Sequence, residues 1–151
     1  MSDLPVYTVA DLELQSVLDV PAFTNDDGVA LGEPAVAVMR EHGWNLAVRV
    51  VLRGDTVFQA KLGETGPGND EWLAGKHAVV ERFGEPSLLV RRRHEEAGTP
   101  FQDDEVFKAH GGSIPIYVAG ELVGSITTSG EPDVIDHTAS HEAVRRFLAN
   151  P

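Results

Sequence analysis

The sequence predicts an α+β fold built in layers, and three observations carry that prediction. Two stretches read as β-hairpins: LAVRVVLRGDTVFQAKL at 46–62, and Ile114 to Thr128 within HGGSIPIYVAGELVGSITTSG. Five other stretches repeat apolar residues at helical spacing. The strands fall in adjacent antiparallel pairs rather than in alternating βαβ units, so helices should pack as layers on an antiparallel sheet.

Taken in order, Val9 to Val20 spaces Val9, Leu12, Leu14, Val17 and Leu18 as a helix that Pro21 stops. Asn25, Asp26 and Asp27 supply cap chemistry for a second helix through Leu31, Val38 and Met39 to Gly43, with Pro34 expected to kink or delay it. Strands one and two turn at Gly54-Asp55. The stretch GETGPGND reads as an exposed loop, and Asn69 or Asp70 caps a third helix, Glu71 to Phe83, closed by Gly84. Pro86 suits the first turn of a fourth helix reaching Ala97. The second hairpin pairs Ile114–Val118 with Leu122–Thr128 through Gly120-Glu121, and a last helix runs from Val134 to Ala149. No repeat or linker divides the chain, so residues 1–151 are expected to form one domain, long enough to bury roughly 70% of the unfolded surface.

Composition narrows the function classes. There is no cysteine, which excludes disulfides, thiolate metal sites, iron–sulfur clusters and cysteine nucleophiles, and which fits a reducing compartment. The start MSDLPVYTVADLEL has no basic n-region, and no apolar run reaches bilayer length. A cytoplasmic protein with no membrane partner is the expectation. A net charge of −12 repels a phosphate backbone, and the one basic run, Arg91 to His94, is followed at once by Glu95 and Glu96. That run reads as a solvated helix face, and no nucleic-acid partner is expected.

Three places carry candidate chemistry. His110-Gly111-Gly112-Ser113 puts two glycines before a strand, where the backbone can approach either a ligand or another strand. In PDVIDHTASHEAV, His137 and His141 are four apart, a spacing that either clamps a ligand or packs on the sheet in one stripe with Val134, Val144 and Leu148. Asp133 and Asp136 are favourable charges at the positive end of that helix. The pattern is not that of a zinc protease, because no glutamate follows the first histidine, and no metal ligand is assigned. Lys76 interrupts a stripe of Trp72, Val79, Val80 and Phe83, so its ammonium either snorkels to solvent or reaches a carboxylate such as Asp136 or an anionic ligand.

Walker loops, GxGxxG after a strand, nucleophile elbows and haem-attachment motifs are all absent. Ser113 and Ser129 have no local pattern that makes a nucleophile. Any bound cofactor would be held non-covalently.

AHGGSIPIYV, VGSITTSG and the Asp136-His137 pair together resemble the haem-degrading-domain superfamily of GlcG and HbpS-like proteins. An uncharacterised branch of it is closest, through the pattern of Asn69, Asp70, Trp72, Lys76, Val79 and Phe83. The resemblance spans nearly the whole chain. It implies a profilin-like α/β/α sandwich around an antiparallel sheet, assembly into a homo-oligomer, and haem or iron as a ligand. By motif position it also implies that Gly111, Gly112, Ser129, Gly130, Asp136 and His137 line a site. His141 and Arg91–Arg93 match no motif of the family. The leading expectation is a homo-oligomer that binds a small planar or anionic ligand, with haem the suggested one, between the second hairpin and the last helix. His110 or His137 would then be the axial ligand and Lys76 the partner of a carboxylate. Two rivals stand beside it: a non-enzymatic, chaperone-like scaffold, and a hydrolase or lyase using Asp136 and His137.

Overall fold

In a computed structural model that describes residues 4–150, the sheet has five strands in the order β1-β4-β5-β2-β3. Its strands are β1 (Leu18–Val20), β2 (Ala47–Leu52), β3 (Asp55–Lys61), β4 (Ser113–Val118) and β5 (Glu121–Ser129). The helices are α1 (Val9–Glu13), α2 (Asn25–His42), α3 (Gly68–Phe83), α4 (Ser87–Glu96) and α5 (Asp133–Ala149). Helices α2 and α5 cover one face and α3 and α4 the other, which is the expected three-layer sandwich. None of these helices is long and apolar enough to cross a membrane.

Strand alternation divides the chemistry of the two faces. Val50, Ile126 and Ile114 sit opposite one another across β2, β5 and β4. With Val48, Leu52 and Ile116 they pack against Leu31, Ala35 and Met39 of α2 and Ala139, Ala143 and Val144 of α5. The next row, Arg49, Thr127 and Ser113, faces the other way, towards α3 and α4. There the buried hydroxyls bond to one another and to the helices: Ser113 Oγ lies 2.8 Å from Thr127 Oγ1, Ser125 Oγ lies 2.6 Å from His77 Nδ1, and the Ser113 N–H donates to Ser87 Oγ.

Four details differ from the sequence reading, one being that α3 begins at Gly68, ahead of the expected caps Asn69 and Asp70, with Pro67 at its N-cap and no side-chain cap. The first apolar stretch is not one helix: a capping box of Thr8 and Asp11 starts α1, which stops at Glu13. Leu18 to Val20 then pair with Ile116 to Val118 as a parallel edge strand, so the sheet is mixed rather than wholly antiparallel. Burial explains the switch, because Leu18 becomes fully buried while Leu14 and Val17, two of the supposed helical stripe, stay 87% and 65% exposed. Thr24, with Asp27, caps α2, and that helix runs unbroken through Pro34. Finally, each hairpin turn is centred one residue earlier than expected, at Arg53-Gly54 and Ala119-Gly120, where both residues adopt positive φ. That pairing is the signature of a tight two-residue turn.

Candidate functional site

Lys76 and Asp136 meet beneath the start of α5. The ammonium donates to Asp136 Oδ2 at 2.7 Å and to the Thr128 carbonyl at 2.9 Å, with both side chains at most 3% exposed. The carboxylate's other oxygen accepts the Glu131 N–H at 3.0 Å, which ties the end of β5 to the helix. Burial works against both charges: it pushes Asp136 up to about 6 and Lys76 below its ordinary range, and the attraction between them only partly offsets this.

Above this pair opens a cleft of about 340 Å³ whose walls include Trp72, Lys76, His110, Ser129, Gly130 and Asp136, together with Asn69, Glu131 and Asp133. The Trp72 ring is 39% exposed, stands edge-on to His110 at 5.4 Å, and has the Lys108 ammonium 5.1 Å from its centre. His110 Nε2 lies 2.5 Å from Asp103 Oδ2, and Nδ1 lies 3.6 Å from Asp133. Asp133 and Asp103 raise the imidazole above its usual pKa against the opposing effect of burial. Burial raises Asp133 in turn, but His110 and the Gly111 N–H outweigh it and hold the carboxyl at about 2.

Gly111 and Gly112 line neither this cleft nor the next one. A Cβ on Gly111 would sit 2.2 Å from the Asp133 carbonyl, and one on Gly112, at φ 139°, would sit 2.3 Å from the Thr128 carbonyl. Both glycines let β4 enter the sheet directly against the chain's own backbone.

His137 belongs elsewhere. Consecutive helical residues point about 100° apart, so while Asp136 faces the Trp72 cleft, His137 faces a second one on the far side of the α5 start. This cleft, of about 290 Å³, lies between the α1–β1 connection, the start of α4 and α5, with Leu12, Gln15, Val17, Leu89, Pro115, Tyr117, His137 and His141 among its walls. His137 is fully buried, with Nε2 2.7 Å from Gln15 Oε1 and Nδ1 without a hydrogen-bond partner among the described residues. His141 stacks parallel to it at 6.0 Å, and its buried Nε2 is likewise unpartnered. Burial, reinforced by His141, drives His137 down to about 3; burial also lowers His141.

The structure therefore gathers Lys76, His110, Ser129, Gly130 and Asp136 around one cleft, sets His137 in another, and spends Gly111 and Gly112 on backbone packing. No hydrogen bond or ion pair joins Asp136 to His137 among the described residues. None of these residues forms a cluster of three or more histidine and carboxylate groups able to hold a metal. Sequence reasoning did not single out Asp103 and Gln15, the residues that orient the two histidines; they lie seven and 122 positions from their partners and share no period with them. The arginine run is fully engaged, Arg91 with Glu95, Arg92 with Glu95 and the Tyr7 carbonyl, and Arg93 with Glu13 and Glu85.

Residues 23–145 match the family described as Haem degrading protein HbpS-like. A UPF0303 protein of Streptomyces coelicolor is 43% identical, over 98% of this chain and 99% of its own. Among solved structures, the Ybr137w protein superposes with a TM-score of 0.81 at 24% identity, covering 96% of this chain and 90% of that one. HbpS superposes with a TM-score of 0.68 at 21% identity, covering 82% and 89%. At these identities the two structures are likenesses of fold.

Proposed function

The chain belongs to the HbpS-like haem degrading protein family, and from that premise we propose that it is a small-molecule-binding protein that works as a homo-oligomer and takes a planar ligand against Trp72. The observation that carries this reading is Trp72, a large aromatic residue 39% exposed in the wall of a cleft whose other lining residues are polar or glycine. Aromatic faces of this kind hold planar ligands by stacking, while a few polar groups fix orientation.

Haem is the ligand that the family suggests, and its fit was expected to run through a histidine. The geometry does not offer one. His110 has its Nε2 occupied by Asp103 at 2.5 Å and is raised by Asp133 and Asp103, which favours the ring as a donor over a ligand for iron. His137 has a lone pair, but it is fully buried in the other cleft. Lys76 already spends two of its three donors on Asp136 and Thr128. With Glu131 and Asp133 in the cleft wall, the carboxylates of a ligand belong on the solvent side and its flat face on Trp72.

Titration with haemin tests the reading. A saturable Soret change is expected, retained by His110→Gln and His137→Leu and weakened about tenfold by Trp72→Ala. Absence of saturation, or indifference to Trp72→Ala, overturns it.

The scaffold reading keeps one observation of its own: Val6, Leu14 and Val17 are 83%, 87% and 65% exposed along the N-terminal segment. Exposed apolar groups of this density mark contact surfaces, and the same side chains are the natural place for self-association. Sedimentation of a Leu14→Ser/Val17→Ser variant distinguishes the two uses. Loss of the oligomer with haemin binding intact assigns the surface to self-association alone.

A further inference from the structure

We propose that the cleft between the α1–β1 connection and α5 is a second binding site, for an uncharged molecule with an apolar body of one ring and a single O–H or N–H donor, as in a simple phenol. The walls set the body. Leu12, Val17, Leu89 and Pro115 present hydrocarbon around a space of about 290 Å³. The two histidines set the donor. Gln15 Oε1 accepts from His137 Nε2–H at 2.7 Å, and this leaves Nδ1 as a bare lone pair with no partner. His141, one turn on with its ring parallel at 6.0 Å, places a second unpartnered nitrogen beside the same cleft.

Buried polar atoms without partners are uncommon, because each forfeits the hydrogen bonds it had in water. The His137 lone pair beside this cleft is a standing demand for a donor. Charge is excluded from both directions. An anion brings only acceptors to the His137 lone pair, and a cation would be stripped of water against hydrocarbon, while the two carboxylates in the cleft wall, Glu13 and Glu85, are already paired with Arg93. The imidazoles themselves stay neutral, His137 through burial and His141 through burial and Arg145. Leu14 to Val17 lie outside any helix or strand, and Gln15, Ser16 and Val17 of this segment line the cleft.

The test pairs 4-ethylphenol with 4-ethylanisole, which has the same body and no donor. Calorimetry on the intact protein is expected to show saturable binding of the phenol at least tenfold tighter than the ether, with the ¹⁵N resonance of His137 Nδ1 moving as the phenol is added. In His137→Leu the phenol loses its advantage while the ether still binds. His141→Leu, a change at a partly buried position, gives the same contrast should the first variant fail to fold. Equal affinity of phenol and ether overturns the proposal, as does absence of phenol binding. A Nδ1 resonance already at its hydrogen-bonded position in the free protein also overturns it, since a buried water would then be the partner. Trp72→Ala is expected to leave phenol binding unchanged, so this result and the haemin result stand or fall separately.

Discussion

The two clefts flanking the first turns of α5 are made from adjacent residues, yet they are finished to different degrees. On one side every buried charge has its complement: Lys76 is matched by Asp136 and the Thr128 carbonyl, Asp136 also accepts from Glu131, and His110 stands between two carboxylates. On the other side, two imidazole nitrogens are buried with no partner among the described residues. The difference follows from cost. An unmatched charge in the interior is worth several kcal/mol against folding, so the chain must complete it, whereas an unmatched neutral nitrogen costs about 1–3 kcal/mol and can be carried. Completeness makes the first cleft a clasp between β5 and α5 as much as a site. Incompleteness leaves the second with capacity for a ligand.

The sharpest way to break this contrast is to unmatch the charge. Lys76→Met leaves Asp136 buried opposite a methyl group and is expected to cost about 3–5 kcal/mol in urea denaturation. Adding Asp136→Asn, which keeps an acceptor for the Glu131 N–H, should recover a large part of that. A loss under about 1 kcal/mol in the single variant would mean that the pair is not the clasp it looks to be.

Acid separates the two histidines by sign. His137 is held at about 3 in the fold and rises to about 6.5 when unfolded, so its contribution is fully present above pH 6.5 and drains as pH falls towards 3, by about 1.4 kcal/mol per unit. His110 is raised in the fold, so its contribution is full below pH 6.5 and is lost as pH climbs through the folded value. Asp136, pushed up to about 6, titrates over part of the His137 range with the opposite sign. The comparison is therefore read as the wild type minus His137→Leu on the acid side and minus His110→Gln on the neutral side. Parallel pH curves for wild type and His137→Leu between pH 4 and 6.5 would show that the imidazole is not the neutral, sealed group described.

How much of this was written locally in the chain differs by element. Both hairpins and the stripes of α2, α3 and α5 follow from periods of two and 3.6 residues, and Lys76 announced itself by interrupting a stripe. Strand β1 did not, because three residues joining a sheet edge through a partner 98 positions later carry no local signature. The separation of Asp136 from His137 is implied by helical geometry, but the existence of two clefts is not. That depends on Gln15 crossing to His137, and on an irregular connector bringing Asp103 to His110. Glycine pairs were ambiguous for a related reason: Gly111 and Gly112 mark close approach, and the sequence does not say that what approaches is the backbone of Asp133 and Thr128.

Removing a single neutral partner should cost less than unmatching a charge. Gln15→Ala takes away the one acceptor of His137 and leaves both ring nitrogens buried without partners, for an expected loss of about 1–2 kcal/mol by thermal or urea unfolding. If the loss is absent, water has entered in place of the amide, and the second cleft is wetter than its walls suggest.

The smallest effect on stability belongs to the residue that carries the functional reading. Trp72 is more than a third exposed, and what it gives the fold is an edge contact with His110 and the Lys108 ammonium over its ring. Such contacts at open sites are worth about 0.5–1 kcal/mol each, and truncation also relieves the exposure of a large apolar surface. Trp72→Ala is therefore expected to unfold within about 1 kcal/mol of wild type while weakening haemin about tenfold. A stability loss above about 3 kcal/mol would place the indole among the packed core residues, whose truncation costs that much, and would remove the argument that its face is kept open for a ligand.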